Sequence, residues 1–243
     1  MTDTAEHASP SSAERRTGFG AVHHPDAAAP AWVWAVILAM LAAMAGWLVG
    51  LDWRAQWPAG LLVLVTMATV TLPTATRKRH PFVLPVPIEL AIALFVFGSL
   101  FLGEILGWYD RIWWWDLLLH SSSGVLLSAL GLLFAYGIGG KSLNARVAFL
   151  FAPMLAMSVG TVWEFFEFAI ENLFGVAMQT PQVSGGSGLV DTMWDLIVNA
   201  VAAVGVALYG WHYTRPSRGR GIPRWVEGFL DRNAAFFERR RAR

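Results

Sequence analysis

The sequence predicts an all-α, polytopic helical membrane bundle with six transmembrane helices. Three observations predict it. The 243 residues are 56% hydrophobic and 14% charged, with a mean hydropathy of +0.49, which is membrane-protein composition. The apolar residues gather into six runs, each long enough to cross roughly 30 Å of hydrocarbon at about 1.5 Å per residue. Sixteen of the 18 Lys and Arg residues fall on one side of the alternation those runs create, the asymmetry that orients membrane proteins. There is no cysteine, which excludes disulfides and thiolate metal sites.

Residues 1–30 are rich in Ala, Ser, Pro and His, without apolar periodicity, and read as a disordered cytoplasmic tail. Arg15-Arg16 is not followed by an apolar segment until Ala31, so no cleaved signal is expected. The transmembrane domain covers 31–213, with spans at 31–50, 58–75, 82–107, 113–137, 146–173 and 190–213. Pro58 opens the second span as a first-turn proline. Pro85 and Pro87 sit near the start of the third, and Pro153 is expected to kink the fifth. With both termini in the cytoplasm, only Arg54 and Arg111 lie outside, so the orientation is N-in, C-in. Trp108, Tyr109 and Trp113–Trp115 crowd the outer end of the third and fourth spans as an interfacial aromatic belt. In the tail over 214–243, Trp225, Val226, Phe229, Leu230, Phe236 and Phe237 recur at helical spacing among arginines. This predicts a basic amphipathic helix lying on the anionic lipid headgroups of the bilayer. Nucleic-acid binding is not expected of so short a tail, and the sequence assigns no oligomeric state.

Against this apolar background the polar residues stand out. The fifth span carries Glu164 and Glu167 in the string Trp163–Phe168, and a charge at mid-membrane costs roughly 2.5–3.5 kcal/mol on the insertion scale. The fourth span carries Asp116 and His120, the sixth Asp191, Asp195 and Asn199, and the third Glu104 near its end. Given the orientation, all four sets fall about 5–15 Å from the outer helix ends. Each cluster continues into small residues on the same i±4 ridge: Gly124 and Ser128; Ala152, Ala156 and Gly160; Ala203 and Ala207. Small residues let membrane helices approach, and i±4 ridges interdigitate. The fourth, fifth and sixth spans are therefore expected to pack together with the cluster between them, flanked by the first two.

Six carboxyls and one imidazole cannot all be charged at close range in low dielectric without a cation. Three resolutions are open. A divalent cation binds, with oxygen ligands favouring Mg²⁺, Mn²⁺ or Ca²⁺ and His120 admitting Zn²⁺ or Fe²⁺. Or several carboxyls stay protonated in a hydrogen-bonded network. Or the group conducts protons or ions. Glu164, Glu167, Asp195, His120 and Asp116 are the leading site residues. Asp191 has a competing reading as a helix cap, Glu104 as a headgroup contact and Asn199 as an interhelical bridge. Trp115 and Trp163 flank the acidic groups. Glu171 reads as a solvated face.

The strings Gly103-Glu104 with Tyr109, Trp115-Asp116 with His120 and Ser123-Gly124, Trp163-Glu164 with Glu167, Gln179, and Gly188 with Asp191–Asp195 and Asn199 resemble the YjdF-like family. The resemblance covers about residues 30–213, and it departs at Ala202, where a glycine is expected. It implies a multi-pass protein of the bacterial cytoplasmic (inner) membrane and supplies no reaction. A more distant similarity is to VanZ-like proteins, associated with glycopeptide-antibiotic resistance.

Three functions follow as expectations. The first is a cation-dependent enzyme on a lipid or envelope substrate, with Glu164 or Glu167 as general base and His120 as acid or ligand. The others are a proton- or ion-coupled transporter, and a structural or regulatory protein with a buried polar network. The chain shows no phosphate loop, dinucleotide fingerprint, nucleophile elbow or His-Glu-x2-His zinc helix.

Overall fold

The computed structural model describes residues 28–79, 82–179, 187–214 and 222–241. The tail predicted to be disordered, 1–30, lies outside the described residues apart from 28–30. In order, the helices are α1 (Ala31–Val49), α2 (Trp53–Thr76, followed by a 3-10 turn at Arg77–Arg79), α3 (Val86–Val96, continued by a π-helix over Phe97–Ile105), α4 (Trp108–Arg111), α5 (Trp115–Gly139), α6 (Ala145–Phe174), α7 (Gly188–Thr214), α8 (Arg224–Arg232) and α9 (Ala234–Arg241). There is no strand among the described residues. Among the described residues, six helices are long and apolar enough to span a membrane.

Local sequence sets most boundaries. The Asp52 carboxylate accepts from the Arg54 N–H at the start of α2, and Asn144 does the same for Arg146 at the start of α6, satisfying donors that a helix start leaves unpaired. Gly175 ends α6 at φ 67°, a left-handed conformation that suits glycine. One proline expectation changes. Gln56 leaves helical geometry at φ −120°, ψ 22°, so α2 begins earlier than expected and Pro58 opens its main segment after the bend. Pro153 is buried inside α6, which runs as one helix through it.

The long helices sort into two packed groups. α5, α6 and α7 pack on one another, while α1, α2 and α3 form a second group that meets the first through α3 on α5. Val33, Ile37, Met40 and Met44 put one stripe of α1 into the second group, against Val63 and Val70 of α2 and Phe101. Spacing of i, i+4, i+7, i+11 is the stripe a helix buries in a neighbour.

One end of the bundle carries α4 and residues 175–179; the opposite end carries α8 and α9. Val226, Phe229 and Leu230 of α8 are buried against Leu132, Leu133, Tyr136, Ala148 and Phe149 at that opposite end. The apolar face of α8 is thus covered by the C-terminal end of α5 and the N-terminal end of α6, where close packing holds it. Asn233 fixes the arrangement: its Oδ1 accepts from the Val83 N–H at 2.6 Å, and its Nδ2 donates to the Val83 and Phe229 carbonyls.

Candidate functional site

The small-residue ridges decide how close α5, α6 and α7 come. A Cβ built on Gly124 would stand 2.4 Å from the Asn199 carbonyl oxygen, and one on Gly131 would stand 2.8 Å from the Ala152 Cα. Gly160 faces the Asn199 side chain. Ala152, Ala156 and Ala203 are fully buried. The ridge residues therefore bring three backbones into contact, and the polar residues at the α4 end of each ridge are drawn inward with them.

His120 stands at the centre of the group. Its Nε2 lies 3.6 Å from Asp116 Oδ1, and its Nδ1 lies 3.8 Å from Glu164 Oε1. Asp116, His120 and Asp195 each offer a ligand atom, and these atoms lie within 4.8 Å of one another. Asp195 is 1% exposed, and neither of its carboxylate oxygens has a hydrogen-bond partner among the described residues. Glu164, 3% exposed, likewise has an Oε1 without a hydrogen bond, and its carboxyl is approached by Thr192. Asp191 is buried one turn from Asp195, close enough to act electrostatically on Asp116, Glu164 and Asp195. Ligand atoms around zinc at about 2.1 Å stand roughly 3.4 Å apart, as do neighbouring oxygens around calcium at about 2.4 Å; the His120 Nε2–Asp116 Oδ1 separation of 3.6 Å is close to that.

Asn199 closes the floor of the cluster. Its Nδ2 donates to Ser123 Oγ at 3.0 Å and to the His120 carbonyl at 3.4 Å, so it holds α7 to α5 at the level of the imidazole. One turn deeper, the Ser128 hydroxyl donates to the Ala203 carbonyl. Beyond that point the interface is apolar, with Leu132, Leu133 and Phe149 buried.

Two sequence expectations change here. Glu104 is exposed; it acts electrostatically on Asp116 but is neither among the close ligand atoms nor in the cavity lining. The cause is the π-helix: Leu106 N–H bonds to the Phe101 carbonyl, five residues back, and that wider winding turns Glu104 off the face a 3.6-residue period assigns it. What α3 and α4 contribute instead are hydroxyls. Ser99 Oγ and Tyr109 Oη are 3.0 Å apart, and the Tyr109 ring lies against Gly103, where a Cβ would meet it at 2.3 Å. Burial pushes the Tyr109 phenol well above its ordinary range, so its hydroxyl keeps its proton and remains a donor. Glu171 is the second correction. It is not simply solvated: its Oε2 accepts from the Met178 and Gln179 N–H groups at 3.2 and 2.9 Å. Gln179 then donates to the Thr192 hydroxyl at 2.6 Å, which ties the connection after α6 over the start of α7.

A cavity of about 360 Å³ opens beside the cluster, between α3 and α6 and over α5. Asp116, His120, Ser123, Glu167, Ser99 and Tyr109 line its polar end. Trp163, 45% exposed, forms part of its wall. Trp115 stays out of it, buried edge-on to Trp108 with centroids 4.6 Å apart, and serves the packing of α4 on α5.

The family model described as "Predicted membrane protein (DUF2238)" matches residues 31–216. The chain belongs to that DUF2238 family. This DUF2238 chain is also 27% identical over 128 residues to an uncharacterized protein of Thermotoga maritima, a match that covers 51% of the chain and 62% of the relative. The chain thus spans less than two thirds of that relative's length. No solved structure matches it. The matched residues of the DUF2238 chain, 31–216, contain every member of the cluster.

Proposed function

We propose that this DUF2238 protein is a cation-dependent membrane enzyme acting on a lipid or envelope substrate, with its site in the outer third of a bacterial inner membrane. The observation that carries the reading is Asp195: a carboxylate 1% exposed, both oxygens without a hydrogen bond, beside Asp116 and His120. A buried carboxylate left so is costly unless something positive partners it. In this reading Asp116, His120 and Asp195 would hold a divalent cation, one of Mg²⁺, Mn²⁺, Ca²⁺ or Zn²⁺. Glu164, on the Nδ1 side of His120, orients the ring, as carboxylates do behind metal-bound imidazoles. Glu167 lines the cavity and acts as general base on water or a substrate hydroxyl. A cation held by these residues would supply Lewis acidity toward a phosphoryl or ester group.

Transport is the weaker reading. The polar row ends at Ser128 and Ala203, and the buried apolar contacts of Leu132, Leu133, Tyr136 and Phe149 follow it toward the opposite end. The motif resemblance to YjdF-like and VanZ-like proteins carries no reaction, so the proposal rests on the geometry. Elemental analysis of the purified protein tests it. A near-stoichiometric divalent metal, lost in Asp195→Ala while the fold is kept, is expected. Metal-free wild-type protein after purification in metal-containing buffer refutes it.

A further inference from the structure

The cavity does not stop at the cluster. From Asp116 and Tyr109 at its polar end it continues past Leu119 and Leu126 to Leu127 and Leu130 on α5, with Ile92 and Phe95 of α3 opposite. From Asp116 to Leu130 is 14 residues of α5, or about 21 Å of helix, most of one hydrocarbon layer and a half. Apart from the polar end its lining is apolar, and Val159 on its α6 wall is exposed, so the groove opens sideways where lipid chains surround a membrane helix. At about 360 Å³ it falls at the small end of ligand cavities, roughly 300–1,000 Å³. That is room for one chain, not two.

The polar end fits one kind of head. Ser99 and Tyr109 bring a hydrogen-bonded pair of hydroxyls to it; one proton is shared within the pair, and the other hydroxyl is left to donate to a phosphate oxygen. Carboxylates alone would repel a phosphate, but the unpartnered, buried Asp195 beside Asp116 and His120 calls for a cation, and a divalent ion bridges carboxylates to phosphate. We infer that the substrate is a phosphate ester carried on a single long hydrocarbon chain, the phosphate at the cluster and the chain in the groove between α3, α5 and α6. This rests on the cation reading for the head and on the groove alone for the tail.

Native mass spectrometry of the full-length protein in mild detergent tests it, with farnesyl phosphate, 1-palmitoyl lysophosphatidic acid and dipalmitoyl phosphatidic acid as probes and metal content measured in parallel. A single-chain phosphate is expected to bind at least about tenfold more tightly than the two-chain lipid, and the tighter of the two single-chain probes tells an isoprenoid from an acyl source. Leu127→Trp and Ile92→Trp fill the groove from opposite walls, so a folding failure of one leaves the other. Each is expected to weaken single-chain binding about tenfold or more with metal content unchanged. Equal binding of the two-chain lipid, or unchanged single-chain binding in both variants, overturns the inference even if the protein carries its metal. Groove-dependent binding of the single-chain probe by a protein without metal upholds the groove and refutes the cation reading instead.

Discussion

Gly124 of α5 lies against the backbone of Asn199 of α7, so close that a Cβ on the glycine would meet the Asn199 carbonyl oxygen at 2.4 Å. The obstacle is backbone, which cannot swing aside as a side-chain tip can. The same contact sets the depth of the cluster, because Asn199 also donates to Ser123 beside it. Gly124→Ala is therefore expected to lower stability by about 1–3 kcal/mol through overpacking and to weaken metal retention with it. Gly46, with nothing near its Cβ position, is the control: Gly46→Ala is expected to leave the thermal midpoint in detergent unchanged or slightly raised.

At the opposite end, Arg77 and Glu89 form a buried ion pair. Thr74 donates to Glu89 at 2.7 Å, and Arg77 donates to the Leu84 carbonyl. Removing one member leaves the other charged and buried. Glu89→Ala is expected to cost about 3–5 kcal/mol, and an Arg77→Met, Glu89→Leu double variant much less, since apolar residues of similar volume replace such pairs at little or no cost. Denaturation of the single and double variants checks this; equal losses would show that the pair is not acting as a unit.

The ridges were legible in the sequence for a physical reason. Helices in lipid can gain close contact only where side chains are small, so Gly124, Ala156 and Ala203 mark the interface wherever it forms, and the acidic residues on the same rows follow them inward. Glu104 was not legible, because its facing depends on a π-helix that shifts phase without an obvious sequence mark. Nor was the role of Glu171, whose partners are backbone N–H groups of a later turn. The α8 helix shows a third limit. Its apolar period is the same whether lipid or protein covers it; what names the partner is Asn233, a polar residue whose bonds to Val83 are 150 positions distant in the chain.

That asparagine gives a local readout. Asn233→Ala strands the Val83 N–H and carbonyl in a buried place, at about 1–3 kcal/mol per orphaned group. The Val83 amide is expected to exchange with deuterium faster, together with the amides of α8. Asn233→Asp keeps an acceptor for the Val83 N–H but loses the donors to Val83 and Phe229, so its effect is expected to fall between. Unchanged exchange at Val83 in Asn233→Ala would show that the tail is held by its apolar face alone.

The division of labour around His120 predicts that two neighbouring carboxylates respond differently. Asp195 shares the group of close ligand atoms with Asp116 and the imidazole, while Glu164 stands on the Nδ1 side of the ring. If Asp195 is a ligand, Asp195→Asn trades a charged oxygen for a neutral one of the same size and is expected to abolish stoichiometric metal. If Glu164 orients the ring, Glu164→Gln keeps an acceptor for Nδ1–H and weakens metal affinity about 10–100-fold without eliminating it. Titration of the metal-stripped variants, with binding read by calorimetry, separates the two. The order matters more than the size: a Glu164→Gln protein that loses its metal while Asp195→Asn retains it would move Glu164 into direct contact with the cation and displace Asp195 from it.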